Sequence, residues 1–169
     1  MESSDLLIEA YSHISRIVHQ ATDDLTQDQL AYRPELGSNS IAWLVWHLTR
    51  IQDSHLRNVV QLEEAWLTEE WSDRFGMPGS TEIGFGDGPE EVAAIRPPRA
   101  ILLGYHDRVV GRVLEYLPTV DAAELDRIVD TDYDPHVTVG IRLMSAVQDN
   151  TQHAGQARYI RGMIERLGV

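Results

Sequence analysis

The chain of 169 residues contains no cysteine. This absence excludes disulfides, cysteine-ligated zinc, iron–sulfur clusters and a cysteine nucleophile, so any sulfur chemistry would need a sulfur atom brought by the substrate. Lysine is also missing, and arginine supplies all 14 basic side chains. We associate this bias with a GC-rich genome and draw nothing about function from it.

Positive charge is scarce, since 14 basic residues face 27 acidic ones and give a formal net charge of −13. Such a chain would repel a nucleic-acid backbone, because binding to phosphates depends largely on cationic side chains. Apolar runs long enough to cross a bilayer are also lacking, and the N-terminal MESSDLLIEA is acidic where a targeting segment would be basic. We therefore expect one cytoplasmic domain over residues 1–169, with no nucleic-acid or membrane partner.

Apolar residues recur at steps of three and four along four long segments, the period of amphipathic helices. Start and stop signals predict that these helices span roughly residues 4–25, 40–62, 97–117 and 138–167. Convincing strand patterns are lacking. The sequence thus predicts an all-α fold, an antiparallel four-helix bundle with a long irregular connection between the second and third main helices.

That connection, from Glu63 to Pro98, carries Trp66, Trp71 and Phe75 and the glycine-rich GFGDGP. Irregular segments of this length in a compact domain usually cover a functional site or are disordered, and the aromatic residues favour a packed cover. We expect a lid.

The fourth predicted helix has an apolar stripe that is interrupted by polar residues near its middle. Asn150 and His153 fall on the stripe and Asp149 lies at its edge, whereas His47 flanks the stripe of the second helix. The apolar members of the stripe are Leu143, Ala146, Val147, Ala154, Ala157, Ile160, Ile164 and Leu167. Residues four apart on a helix are neighbours, so Asp149 and His153 can face one ion, and His47 completes a candidate metal site with room for further ligands.

The spacing of these residues, taken alone, favours a structural role over metal binding. An Asp and a His four residues apart occur by chance on many helices, as a hydrogen-bonded pair or a surface salt bridge. A single His47 is likewise more often a hydrogen-bonded core histidine than a metal ligand.

The segments SIAWLVWHLTRIQDSHL and VQDNTQHAGQARYIRG, together with Trp66, Trp71 and the following DRFGMP, resemble the DinB/YfiT-like superfamily. The resemblance extends along nearly the whole chain and implies a four-helix bundle that holds a metal. It implies ligands at His47, on the second helix, and at Asp149 and His153, on the last. Family members commonly carry histidine where this chain has Asp149, a departure that keeps the spacing and changes the charge.

The same resemblance implies a metal-dependent enzyme of an actinobacterial type, in which zinc or nickel activates mycothiol or a similar small thiol for attack on an electrophile. A hydrolase or an isomerase stays open, and no catalytic residue is assigned. The alternative is a non-catalytic metal- or ligand-binding module for stress response, and a third interpretation is a helical dimerisation protein with a structural Asp–His pair. A homodimer is also among the expectations.

Other polar residues near this site are further candidates for a role in it. Gln156 is a candidate partner for a ligand or a bound water, and Arg158, with Arg161, is a candidate clamp for a carboxylate of the cofactor. Arg50 and Asp53 could orient a ligand, although an ordinary surface salt bridge is the more common arrangement. His55 could line the same cleft. The other histidines, including His106, are expected to be exposed or capping.

Overall fold

Helices dominate the computed structural model, which describes residues 2–169. In chain order the elements are α1 (Ser3–Thr22), α2 (Gln27–Leu30), α3 (Ile41–Val60), α4 (Ala65–Thr68), α5 (Trp71–Arg74), α6 (Pro89–Ala94), α7 (Arg99–Tyr116), a 3₁₀ turn (Leu117–Thr119), α8 (Ala122–Asp126), β1 (Ile128–Asp130), β2 (Val137–Thr138) and α9 (Val139–Leu167). The predicted all-α bundle of four long helices, α1, α3, α7 and α9, is confirmed.

The starts of the long helices follow the sequence signals closely. The Ser40 side chain accepts a hydrogen bond from Trp43 N at 3.1 Å, and Thr138 accepts one from Ile141 N at 3.3 Å, so each caps the helix that follows it. Gly168 ends α9 in the left-handed conformation with φ 68°.

Two predicted helix ends were too late. The first helix stops at Thr22 rather than near Leu25, because Asp24 adopts a left-handed backbone with φ 54°. The second stops at Val60 rather than Leu62, because Gln61 does the same with φ 56°. Neither residue is a glycine, so composition gave no sign of these stops.

Helix α9 packs most extensively on α3 and also contacts α1, while α7 lies against α3 and α1. The apolar stripe of α9 is buried as predicted from Leu143 to Ile164, apart from the half-buried Val147. Leu167 is an exception, 60% exposed, since it lies in the last turn of a helix of 29 residues that outruns the 20 residues of α3. Within residues 2–169, no helix has both the length and the apolar character needed to span a bilayer.

A two-stranded antiparallel sheet in the connection before α9 was not predicted. Strands β1 and β2 pair Ile128 with Thr138 and Asp130 with Val137. They are only three and two residues long, too short to show an alternating pattern in sequence. The hairpin leads the chain into the Thr138 cap of α9.

The long connection between α3 and α7 is a packed cover that contains the three short helices α4, α5 and α6. Trp66 is fully buried, and its Nε1 donates to the Ser80 carbonyl at 2.7 Å. The Asp53 carboxylate on α3 accepts hydrogen bonds from the backbone of Ala65 and Trp66 at 3.1 and 2.9 Å. These contacts hold the cover against α3, as the aromatic residues predicted.

His106 was expected to be exposed or capping, and this expectation is wrong. It is fully buried on α7, in helical step with Leu102 and Val109. Thr49 Oγ1 lies 3.0 Å from its Nδ1 and already donates to Val45 O, so Nδ1 donates to Thr49. Burial lowers the pKa of His106 to about 4.

His106 takes up its proton at lower pH in the folded state than in the unfolded chain. It should therefore lower the free energy of unfolding as the pH falls from about 6.5 towards 4. Between pH 7 and pH 5 we expect the free energy of unfolding of the wild type to fall by about 2 kcal/mol more than that of His106→Gln. Urea denaturation at the two pH values measures this difference. His13→Gln, at an exposed position of α1, is the control and should follow the wild type; an equal pH response of His106→Gln would contradict the prediction.

Candidate metal centre

His47 is held on α3 by contacts on two sides of its ring. The imidazole stacks on Trp43, with ring centroids 4.6 Å apart and planes 9° from parallel. Its Nδ1 lies 2.5 Å from the carbonyl oxygen of Ile83, in the cover. A carbonyl only accepts, so Nδ1 carries the proton and Nε2 keeps a free lone pair.

His153 is arranged in the same way on α9. Its Nδ1 lies 2.9 Å from Gln156 Oε1, an acceptor, and so its Nε2 is also the free nitrogen. Asp149 stands one turn earlier, with Oδ1 3.5 Å from His153 Nε2 and 4.0 Å from His47 Nε2. The structure therefore brings the three predicted residues together, each offering a ligand atom within 4.8 Å of the other two.

The donor set fits a divalent ion. Zinc binds imidazole nitrogen and carboxylate oxygen at about 2.0 to 2.1 Å, which places tetrahedral ligands about 3.4 Å apart. The observed separations of 3.5 and 4.0 Å from Asp149 Oδ1 need only small side-chain adjustments to reach this spacing. Asp149 Oδ2 is buried and has no hydrogen-bond partner within residues 2–169, and a carboxylate oxygen in that state favours a nearby cation.

Electrostatics distinguish the two histidines. Burial lowers the pKa of His47, which keeps its ring neutral near pH 7 and its lone pair available. The neighbouring Asp149 carboxylate raises the pKa of His153. The same negative charge that favours a proton on His153 would favour a metal ion between the two side chains.

A buried amide pair fixes the two helices that supply the ligands. Asn150, fully buried on α9, hydrogen-bonds through its side-chain amide to the side-chain amide of Gln52 on α3, with the two polar atoms 2.9 Å apart. Both amides lie in a largely apolar contact, where unpaired polar groups would be costly. This pair sets the register of α9 on α3, and so the distance from His47 to Asp149.

Gly84 lets the cover approach the His47 ring. A Cβ atom at this position would lie 2.9 Å from His47 Nδ1, 2.9 Å from Trp46 and 3.0 Å from Trp43, and the backbone has φ +87°. Only glycine combines that conformation with that closeness. The glycine-rich GFGDGP was the sequence signal for this contact, although it did not reveal the partner.

The two predicted cofactor-binding residues differ in their placement. Gln156 holds His153 and also lines a groove of about 700 Å³ between α9 and the loop that precedes α3. Arg158 is exposed and does not line that groove, because five residues rotate it by about 140° from His153 around the helix. Arg161 bonds to Glu165 at 2.7 Å and donates to the Asp23 carbonyl, which is a structural role.

The expected pair of Arg50 and Asp53 is present but is buried rather than on the surface. Arg50 Nη1 and Asp53 Oδ2 are 4.0 Å apart, each residue is only 1% exposed, and both belong to a network with Glu64 and Tyr105. His55 is half-buried near Asp149, and burial lowers its pKa to about 4. Within residues 2–169, the group of converging donors contains three residues and leaves His55 out.

Residues 11–157 match the family model of the DinB superfamily. The chain belongs to the DinB superfamily. It is also similar to a solved structure, described as the crystal structure of a conserved protein from Enterococcus faecalis. That chain is 27% identical, with a TM-score of 0.86 over 95% of this chain and 96% of the other. No curated protein matches this DinB chain.

Gly84→Ala should destabilise the fold by about 2 to 5 kcal/mol, since it adds a left-handed backbone penalty to an overpacked contact with His47 and Trp46. Gly86→Ala is the matched control, because its φ is +85° and its Cβ would meet open space. It should cost only the backbone penalty, about 1 kcal/mol. Urea denaturation of both variants measures the difference, and equal losses would show that the close approach at Gly84 carries no cost.

Proposed function

We propose that this protein is a metal-dependent enzyme that activates a small thiol, mycothiol or a similar molecule, for transfer to an electrophile. The observation that carries the proposal is the convergence of His47 Nε2, His153 Nε2 and Asp149 Oδ1, with both Nδ1 atoms already bonded to carbonyl oxygens. Such outer hydrogen bonds are typical of histidines that bind metals, because they fix the tautomer and orient the ring. Membership of the DinB superfamily supports the same assignment.

His47, Asp149 and His153 would hold a divalent ion, with zinc and nickel as the first candidates because imidazole suits both. When bound, such an ion lowers the pKa of a coordinated thiol and leaves a thiolate nucleophile at neutral pH. Asp149 supplies the negative charge that a histidine would not. The chain itself has no cysteine, so the reacting sulfur belongs to the substrate.

The groove beside Gln156 is our candidate for the rest of the thiol or for the electrophile. It has a volume of about 700 Å³, within the range of small-molecule sites, and its lining mixes apolar side chains with amides. The lining residues are Pro34, Glu35, Ser38, Asn39, Leu44, Gln152, Gly155, Gln156, Tyr159, Ile160 and Met163. Gln156 bonds to His153 and lines this groove, so it would link the substrate to the metal ligands.

Two observations favour an enzyme over a metal-binding module without turnover. Three converging protein ligands leave coordination positions free for a substrate, whereas a storage or structural site usually has four. A groove of substrate size is lined by Gln156, whose side chain bonds to the proposed ligand His153. A metal-binding module without catalytic activity is the second candidate. Measurement of turnover distinguishes it from the enzyme.

Metal binding is tested with protein that lacks a histidine tag. We expect about one equivalent of a divalent transition metal, and a loss of at least about 100-fold in affinity for His153→Ala, because a three-ligand site cannot hold the ion with two. His136→Ala, an exposed histidine outside the group, is the control. Asp149→His should keep the metal while Asp149→Leu should lose it. Metal content that is below half an equivalent and unchanged in His153→Ala would refute the metal site.

Turnover is tested by offering mycothiol, bacillithiol and glutathione with an electrophile such as a haloalkylbimane. We expect metal-dependent conjugation with at least one thiol, lost on chelation and restored by the metal. Product formation followed by mass spectrometry measures it. A protein that binds metal but conjugates none of the thiols would support the binding module instead.

A further inference from the structure

Arg50 lies on α3 one turn after His47 and is buried to 1% exposure. Its Nη1 donates to Glu64 Oε2 at 2.8 Å, and the guanidinium lies 4.8 Å from the centre of the Trp66 ring. A buried cation needs a partner, and Glu64 provides one. Charge balance alone accounts for only part of the contacts of this side chain.

The remaining donors of Arg50 point into the cover. Nε donates to the Glu82 carbonyl at 3.0 Å and Nη2 to the Thr81 carbonyl at 3.4 Å. The next carbonyl along the chain, Ile83 O, is the one that accepts from His47 Nδ1. Two side chains from adjacent turns of α3 therefore bind three consecutive carbonyls of the same segment.

We call residues 81–84 the strap. They form neither helix nor strand, so the carbonyls of Thr81, Glu82 and Ile83 depend on side chains for hydrogen bonds, whereas the Gly84 carbonyl accepts one from Asp87 N. Gly84 ends the strap in contact with the His47 ring, with no space for a Cβ. The strap is thus pressed against His47 at one end and held by Arg50 at the other.

We propose that Arg50 is a positioning residue for the metal centre: it holds the strap so that Ile83 O fixes His47 with the proton on Nδ1 and the lone pair on Nε2. The proposal rests on the proposed function, because it assigns His47 as a ligand. Only arginine has donors on separate edges of a plane, which allows one side chain to reach Glu64, Glu82 and Thr81 together. A lysine would keep the positive charge but could not donate to all three partners, because its ammonium group lacks this planar arrangement of donors.

The test compares Arg50→Lys with Arg112→Lys. Arg112 also belongs to the buried network, with Nη1 3.1 Å from Asp53 Oδ1 and Nη2 2.8 Å from the Glu63 carbonyl, but its hydrogen bonds lie outside the strap. The first readout is the tautomer of His47 in the metal-free protein, from ¹⁵N NMR, with the signal assigned by its absence in His47→Gln. The second is the affinity for zinc from a competition titration.

We expect Arg50→Lys to convert the single Nδ1–H tautomer of His47 into a mixture and to weaken zinc binding about 10-fold or more, the usual effect of losing an outer partner of a ligand. Arg112→Lys should keep the tautomer and stay within about 2-fold of the wild-type affinity. An unchanged tautomer in Arg50→Lys would overturn the proposal. An equal loss in both variants would also overturn it, since it would indicate a general effect of the buried charges.

If Arg50→Lys does not fold, the double variant Arg50→Met/Glu64→Gln removes the cation together with its nearest anion and leaves Asp53 paired with Arg112. The same mixture of tautomers is expected, and a retained Nδ1–H form would overturn the proposal. The tautomer is read without metal. A wild type that binds no divalent transition metal would therefore defeat the proposed function and still leave the role of Arg50 decided.

Discussion

The packing of α9 on α3 is the constraint on which the candidate centre depends. The ligands come from these two helices, and a slip of one turn would carry Asp149 and His153 about 5 Å away from His47. Apolar contacts alone tolerate such slips, because any methyl group can replace another. The buried Asn150–Gln52 pair does not, since a displaced amide would lose its partner in an apolar contact. Polar residues in the middle of the stripe thus give the bundle its register.

The cover supplies the other half of the centre through backbone atoms. Side chains from α3 bond to polar backbone groups of the cover: Asp53 accepts from Trp66 N at the start of α4, Arg50 donates to Glu82 O, and His47 donates to Ile83 O. Each of these bonds also fixes the α3 side chain that makes it. The buried charges and the oriented histidine are therefore two results of the same docking of the cover onto the helix.

Prediction from sequence succeeded for features that follow from a repeating pattern of residues. It failed for features that depend on a single residue or a single contact. The period of apolar residues predicted four helices, and the interruption of the α9 stripe at Asn150 and His153, together with the family resemblance, predicted the candidate site. The left-handed stops at Asp24 and Gln61, the burial of Arg50 and the short β1–β2 hairpin depend on single residues whose types are common elsewhere. Arg158 lies about 140° around α9 from His153 and outside the groove, and its role in binding the cofactor stays a prediction.

By itself, the sequence determined the helical class, the face of α9 that carries Asp149 and His153, and the absence of any protein thiol, because these follow from helical period and composition. Only the tertiary structure decided that His47 meets that pair across the bundle and that its Nδ1 donates to the Ile83 carbonyl. The reason is that Ile83 lies 36 residues from His47 along the chain. A backbone carbonyl is the same in every residue, so no side-chain pattern could have identified this one as the partner of His47.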